Sequence, residues 1–154
     1  MQQPALRPIP VSNKYELADD FEYTHNGETI VVPRYFCYDG ASIPSYAWQL
    51  VHTPFSPLVM MPALLHDWLY YNHQIDRKRA DALFYELLVE TGVSRLRRVI
   101  IKFAVNWTGA NYWENEEKHI LEMVDLATRL QDSPNFERYH FPDEVLRRLS
   151  LSQL

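Results

Sequence analysis

The most informative residues of this chain are a histidine and an aspartate that stand side by side in the apolar run from Pro62 to Tyr71. Asp67 is the only formally charged side chain between Asp39 and Asp76. Such a stretch normally enters a core, and burying a carboxylate is costly unless a cation, a metal ion or several hydrogen-bond donors compensate it. The pattern therefore predicts that His66 and Asp67 belong to a polar site inside the fold.

Three features of the sequence can compensate Asp67. His66 precedes it, Asp81 supplies a second carboxylate further along the chain, and a Tyr-Asp-Gly-Ala-Ser turn occupies residues 38–42. The chemistry of the site therefore depends on which elements hold these residues and how close they come.

Two consecutive helices carry His66 and Asp81. Pro62 suits a first helical turn because its missing N–H would have no partner there, so we predict a helix over about 62–72. Asp76 is a suitable N-cap for the next helix, and Gly92 suits the position after its end. The apolar positions between them repeat with helical spacing: Ala80, Leu83, Phe84, Leu87 and Leu88.

The short connection around His73 and Gln74 predicts that these helices are antiparallel neighbours. His66 and Asp81 each lie about seven or eight residues from the turn, which is roughly 11 Å at a rise of 1.5 Å per residue. Tyr70 follows His66 by about one helical turn and shares its face. The spacing therefore predicts His66 and Asp81 at the same level of a helix hairpin.

The N-terminal part has the pattern of β structure. Asn26-Gly27 separates two runs rich in β-branched and aromatic residues, which predicts a hairpin with a two-residue turn over 21–32. Residues 37–61 contain several prolines and are predicted to be an irregular connection. We expect an α+β fold, with an N-terminal β-hairpin or small antiparallel sheet followed by a mostly helical body around the central helix hairpin.

Three segments are predicted along the chain: an extended arm over 1–14, a single globular domain over 15–131, and a tail over 132–154 with a short helix from Pro142. Ser94 is predicted to cap a third helix, and a fourth helix is expected at about 115–131. The third helix is expected to turn one apolar face to the core: Leu96, Val99, Ile100, Phe103 and Trp107.

Composition excludes several classes of protein. The formal net charge of −5 gives no general electrostatic reason to bind nucleic acid or an anionic membrane surface. Cys37 is the single cysteine, so an internal disulfide framework is excluded. Prolines interrupt the apolar stretch at 54–71, so we expect no membrane span, and the first residues lack the profile of a signal peptide.

A longer pattern connects the β part with the helix hairpin. It comprises Val31-Val-Pro33, Asp39-Gly-Ala-Ser-Ile-Pro44, His66-Asp-Trp-Leu-Tyr70 and Ala80-Asp81. Over about residues 15–113 the chain resembles the phage and prophage family catalogued as domain of unknown function 1353. The resemblance implies a phage or prophage origin, with the bacterial host cytoplasm or the phage virion as its location, and brings no established activity.

The helix hairpin also resembles phospholipase A2 sites of the compact viral type, which use His-Asp-x-x-Tyr on one helix and an aspartate on its partner. The matching residues are His66, Asp67, Tyr70 and Asp81, with the loop around Asp39 and Gly40. The resemblance implies a lipid or ester hydrolase in which His66 is the general base, Asp81 orients it, and Asp67 binds calcium with the loop at Asp39 and Gly40. Calcium is the cofactor expected on this basis.

Two other interpretations of His66 and Asp67 stay open. In the first, the pair is structural: Asp67 accepts backbone N–H groups of residues 39–44, and His66 binds Asp81 or a tyrosine. In the second, His52 joins His66, Asp67 and Asp81 in a metal-dependent phosphohydrolase of the His-Asp type. The predicted N-terminal hairpin disfavours the second interpretation, because those folds are wholly helical.

Arg95, Arg97 and Arg98 break a local rule, because the first turn of a helix disfavours cations. A solvated face paired with the acidic stretch 114–117 would explain them. The functional interpretation is a patch that binds an anion, such as a phosphate head group, or an acidic partner protein.

The alternative to an enzyme is a virion or accessory protein that binds other phage proteins through its two ends, 1–14 and 132–154. These ends carry isolated apolar residues among prolines and polar groups: Leu6, Ile9, Phe136, Phe141 and Leu151. Such residues suit docking onto another chain and equally suit packing back onto this one.

Overall fold

Short strands precede longer helices in the computed structural model. It describes residues 2–10, 12, 14–38, 56–114, 116–134 and 136–152, with side chains left undescribed at 107–112, 114, 116 and 119. The described strands are β1 (Leu6–Pro8), β2 (Tyr15–Leu17), β3 (Phe21–His25), β4 (Glu28–Val32) and β5 (Cys37–Tyr38). The described helices are α1 (Met60–Asn72), α2 (Arg77–Glu90), α3 (Arg95–Glu114), α4 (Glu116–Leu130) and α5 (Asp143–Ser152). The predicted α+β fold with a helical body is confirmed.

The strands form two small antiparallel sheets. One sheet has the order β1-β2-β5, and the other is the β3–β4 hairpin. Asn26 and Gly27 connect the hairpin with φ angles of 49° and 83°, which is the positive φ at both centres that the Asn-Gly pair favours. The register pairs Phe21 with Val32, and both side chains are buried. The predicted two-residue hairpin is therefore confirmed.

The segment expected to be irregular from residue 37 begins with a strand. Glu16 pairs with Cys37 and Tyr15 with Tyr38, so β5 completes the three-stranded sheet. Two residues carry too little periodicity to mark a strand in a sequence, and here the sheet's hydrogen bonds determine the conformation.

Capping sets the ends of the central helices. The Asp76 side chain accepts a hydrogen bond from the backbone N–H of Arg79 at 3.0 Å, as an N-cap does. After α2, Gly92 has a φ of 85°, a conformation that glycine adopts without steric penalty. Helix α1 begins two residues before the predicted Pro62, which still lies in its first turn.

Helix α3 differs from its prediction in the face that it buries. Leu96, Val99 and Phe103 are 72%, 53% and 69% exposed, whereas Ile101 is 1% exposed. At 3.6 residues per turn, Ile101 points about 200° away from both Val99 and Phe103, so these two residues and Leu96 lie on the side opposite the core. Ile100 of the predicted stripe does pack against the core, and the side chain of Trp107 lies outside the described ones. The helix has apolar residues on both sides, and tertiary packing after the buried Val93 selects the side of Ile101.

Buried apolar residues form two clusters. The main core joins the hairpin, α1, α2 and the first part of α3. The second cluster joins Ile9 from the N-terminal segment to Leu130 of α4 and to Val145 and Leu149 of α5. Both chain ends, which the sequence analysis describes as an arm and a tail, therefore contribute to cores of this chain. None of the described helices is long and apolar enough to cross a membrane.

Candidate functional site

The α1–α2 hairpin brings His66 and Asp81 into direct contact. The Nε2 atom of His66 donates a hydrogen bond to Oδ1 of Asp81 over 2.8 Å. Only residues 73–76 separate the helices, and His73 ends α1 with a φ of 51°. The predicted spacing therefore places the imidazole and the carboxylate at one level of the hairpin.

Tyr70 joins the same carboxylate. Its hydroxyl donates to Oδ1 of Asp81 over 2.5 Å, and its ring lies 4.2 Å from the His66 ring. Burial raises the pKa of Tyr70, and the hydrogen bond to Asp81 raises it further. Tyr70 is therefore a permanent O–H donor that fixes the position of Asp81, a positioning role and not that of a nucleophile.

His66 sits in a mostly apolar environment. Its residue exposure is 8%, and the Phe84 ring lies 4.7 Å from its own on the side of α2. Nδ1 of His66 has no hydrogen-bond partner among the residues that the structure describes. An imidazole held through one nitrogen by a carboxylate has the arrangement of a general base, with its second nitrogen as the proton acceptor.

The predicted metal ligands are only partly placed. Asp67 is half-buried on α1, next to His66. Asp39, Gly40 and His52 lie outside the described residues, so the loop expected to bind calcium with Asp67 is not placed. Within the described ranges, no group of three histidine, cysteine or acidic side chains is arranged to hold a metal ion.

A cleft of about 470 Å³ lies between α2 and α3, and Asp81 forms part of its wall. Phe84 and Tyr85 contribute its aromatic lining, and Lys78 and Lys102 stand on its two sides. This volume falls within the range of roughly 300–1,000 Å³ that small-molecule sites occupy. The carboxylate that holds His66 therefore borders a space large enough for a ligand.

The three arginines at the start of α3 are spread over the helix surface. Arg95 is exposed, whereas Arg97 and Arg98 are half-buried. The Arg98 guanidinium lies over the Tyr85 ring at 5.7 Å from its centroid, and its Nε is buried without a hydrogen-bond partner. In the acidic stretch expected as their partner, Glu117 binds Arg148, and the side chains of Glu114 and Glu116 lie outside the described ones.

A second charged cluster lies outside the set of predicted site residues. His25, at the end of β3, is 8% exposed and lies between two carboxylates of α2: Nε2 is 2.8 Å from Glu86 and Nδ1 is 3.0 Å from Glu90. The signal was present, because two glutamates four residues apart on one helix repel each other unless a cation lies between them. This cluster attaches the hairpin to α2.

The fold and the site define a class of protein: a small α+β domain whose central helix hairpin carries a histidine held by a carboxylate and a tyrosine. The family model described as "Protein of unknown function (DUF1353)" matches residues 15–105, and the chain belongs to that family. The matched range contains the hairpin, α1, α2 and the first half of α3. No curated protein and no solved structure gives a significant match.

Proposed function

We propose that this chain is a phage or prophage protein with a calcium-assisted hydrolase site of the phospholipase A2 type, acting on a lipid ester. The observation that carries the proposal is the geometry of Asp81, which accepts hydrogen bonds from both His66 and Tyr70 while Nδ1 of His66 has no partner in the described chain. Two helices that only pack apolar side chains together would not require a carboxylate with two hydrogen-bond donors at their contact. The arrangement supports a general base whose orientation is fixed in advance.

In the proposed mechanism, Nδ1 of His66 removes a proton from a water molecule as that water attacks the ester carbonyl. Asp81 stabilises the imidazolium that forms, and Tyr70 keeps Asp81 in place through its own hydrogen bond. The imidazolium then returns the proton to the leaving alkoxide. Such proton transfer typically contributes about 10²–10⁴ to the rate.

Calcium is assigned to Asp67 together with the loop at Asp39 and Gly40. The chemistry of the donors fits, because calcium prefers carboxylate and carbonyl oxygens and Asp67 offers a half-buried carboxylate next to the base. A bound calcium ion supplies stabilisation of the negative charge that develops on the carbonyl oxygen.

Calcium and zinc titration by calorimetry tests this proposal on the wild type and on Asp67→Asn, with circular dichroism as a check on folding. We expect calcium binding in the wild type and none in the folded variant. Hydrolysis of a short-chain phosphatidylcholine should fall at least about 100-fold in His66→Asn, with circular dichroism again checking that the variant is folded. A wild type that neither binds calcium nor hydrolyses the lipid would overturn the proposal.

A second candidate is a non-enzymatic virion or accessory protein in which His66, Asp67 and Asp81 form a structural network. The two hydrogen bonds to Asp81 are compatible with it, because they satisfy a mostly buried carboxylate without any chemistry. In that case Asp67→Asn should lower the melting temperature without removing a bound metal.

The ends of the chain offer this candidate little support as docking segments for other phage proteins. Ile9 and Phe141 are buried in the second cluster, and Leu6 and Phe136 pack against the cores of this chain. Leu151, at 53% exposure, is the member of the predicted set that remains available on the surface.

A further inference from the structure

The cleft between α2 and α3 contains more positive charge than its own carboxylates neutralise. Among the described residues that line it, three are cations and two are acidic: Asp81, which accepts hydrogen bonds from His66 and Tyr70, and Glu86, which is shared with His25 and Arg79. The charge of its cations is therefore not balanced from within the cleft.

Three cations line the same space: Arg77 and Lys78 from the first turn of α2, and Lys102 from α3. In the described part of the chain none of the three makes an ion pair, although Lys102 lies 5.1 Å from the centroid of the Tyr85 ring. Nη1 of Arg77 is buried without a hydrogen-bond partner. A buried guanidinium N–H without an acceptor is costly, so Arg77 would gain from a ligand oxygen or a water molecule that supplies one.

The sequence reinforces this local excess of positive charge. Residues 95–113 contain four basic residues and no acidic residue, in a chain whose formal net charge is −5. Of these four, Lys102 lines the cleft, and the three arginines lie on the first turn of α3. Cations concentrated along a cleft raise the local concentration of anions, even when the whole molecule is acidic. The cleft is therefore suited to an anionic ligand that the rest of the surface repels.

We propose that this cleft binds the phosphate group of a small organic phosphate, held by Arg77, Lys78 and Lys102. A phosphate matches three cations better than a monocarboxylate does, because it carries more charge and three acceptor oxygens. The organic part lies against Tyr85 and Phe84, and the volume of about 470 Å³ accommodates both parts.

This site goes beyond the proposed hydrolase function and does not require His66 to be a base. If both proposals hold, the phosphate group of the substrate lies on the α3 side of Asp81, which borders the cleft. The same group can come from a soluble metabolite or from a lipid head group, so the test separates these sources.

The test measures binding of inorganic phosphate, sn-glycerol 3-phosphate and adenosine 5′-monophosphate by calorimetry in calcium-free buffer, together with co-sedimentation with phosphatidylglycerol vesicles. The variants are Lys78→Gln and Lys102→Gln, and Lys118→Gln on α4 is the matched control outside the cleft. All three lysines are exposed, so the variants keep the fold. We expect each cleft variant to weaken binding at least roughly fivefold while the control binds like the wild type.

Binding of either soluble organic phosphate with this pattern of variants identifies a soluble ligand, and binding of vesicles alone with the same pattern identifies a head group. Both results support the site. Absence of binding in every arm, or an equal loss in Lys118→Gln, overturns it. This test contains no calcium and measures no turnover, so its outcome does not depend on the proposed hydrolase function. A chain that binds phosphate here but fails the calcium titration contradicts only the hydrolase function.

Discussion

At the scale of single residues, Asp81 is the centre of the candidate site. One of its oxygens accepts hydrogen bonds from residues on the opposite helix, His66 and Tyr70. The side chain of Asp81 is 16% exposed, so these donors replace most of the water that a carboxylate would otherwise bind. Changes at Asp81 should therefore affect stability as well as any chemistry.

Tyr70→Phe removes one of the two donors and should lower the free energy of unfolding by about 1 kcal/mol. Asp81→Asn should cost about 1–3 kcal/mol, because the amide keeps one acceptor but loses the charge. Urea unfolding of both variants and the double variant gives the coupling between the two residues. Strictly additive effects would contradict the direct hydrogen bond between Tyr70 and Asp81.

The contact between His25 and Glu86 gives the stability of the chain a dependence on pH. The hydrogen bond from His25 lowers the pKa of Glu86 in the folded state. A carboxyl group with a lowered folded-state pKa contributes stability above its unfolded value of about 4.3 and loses that contribution as the pH falls through the folded value.

Thermal melting between about pH 6 and pH 3 tests this expectation. The wild type should lose melting temperature on acidification more steeply than Glu86→Gln, which cannot be protonated at this position. Glu28→Gln, at the exposed end of β4, is a control that should keep the wild-type slope. Parallel slopes for the wild type and Glu86→Gln would contradict the prediction.

At the scale of elements, α3 separates what periodicity can predict from what it cannot. Helix α2 has one apolar stripe, and its predicted positions Leu83 and Leu87 are buried. Helix α3 has apolar residues on two sides, so its existence was predictable whereas its buried face was not. The packing of the chain after Val93 buries the face of Ile101. This packing depends on contacts between residues distant in sequence, which a local pattern does not contain.

Ile101→Ala should therefore destabilise the protein by about 2–5 kcal/mol, because it opens a cavity in the main core. Phe103→Ala, two residues further along the same helix, should change the free energy of unfolding by less than about 0.5 kcal/mol, because that ring is 69% exposed. Chemical denaturation of both variants makes the comparison. A larger cost for Phe103→Ala than for Ile101→Ala would reverse the assignment of the buried face.

The candidate site was predictable to the extent that local spacing determines it. The short turn before Asp76 and the helical rise were sufficient to predict His66 and Asp81 at the same level, whereas their contact also depends on how each helix is rotated about its axis. The cleft was not predictable, because Lys78 and Lys102 line the same space only as a result of how α3 packs against α2. Asp39 and Gly40 lie outside the described residues, so their assignment to calcium stays a prediction.

At the scale of the whole molecule, an ion pair connects the N-terminal sheet to the C-terminal segment. Glu16 of β2 is 2% exposed, and both of its carboxylate oxygens accept hydrogen bonds from Arg138, at 3.0 and 3.3 Å. Arg7 approaches the same carboxylate at 3.7 Å from a more exposed position. The buried carboxylate depends mainly on Arg138 for its compensation.

Arg138→Ala should lower the free energy of unfolding by about 3 kcal/mol, since it leaves the Glu16 charge buried without its main partner. Arg7→Ala is the matched control and should cost less than about 1 kcal/mol, because its contact is longer and more solvated. Guanidinium unfolding of the two variants checks the difference. Equal costs would show that Arg138 is not the main partner of Glu16.

The second cluster also has a consequence for synthesis of the protein on the ribosome. Residues of the main core extend from Leu17 to Ile101, whereas the partners of Ile9 extend to Leu149. Translation adds about 5–20 residues per second, so the last partner of Ile9 emerges roughly 2–10 s after the main core is complete. During that interval the second cluster is incomplete: Ile9 stays open to solvent until α4 has been synthesised, and the apolar side of α4 stays open until α5 follows.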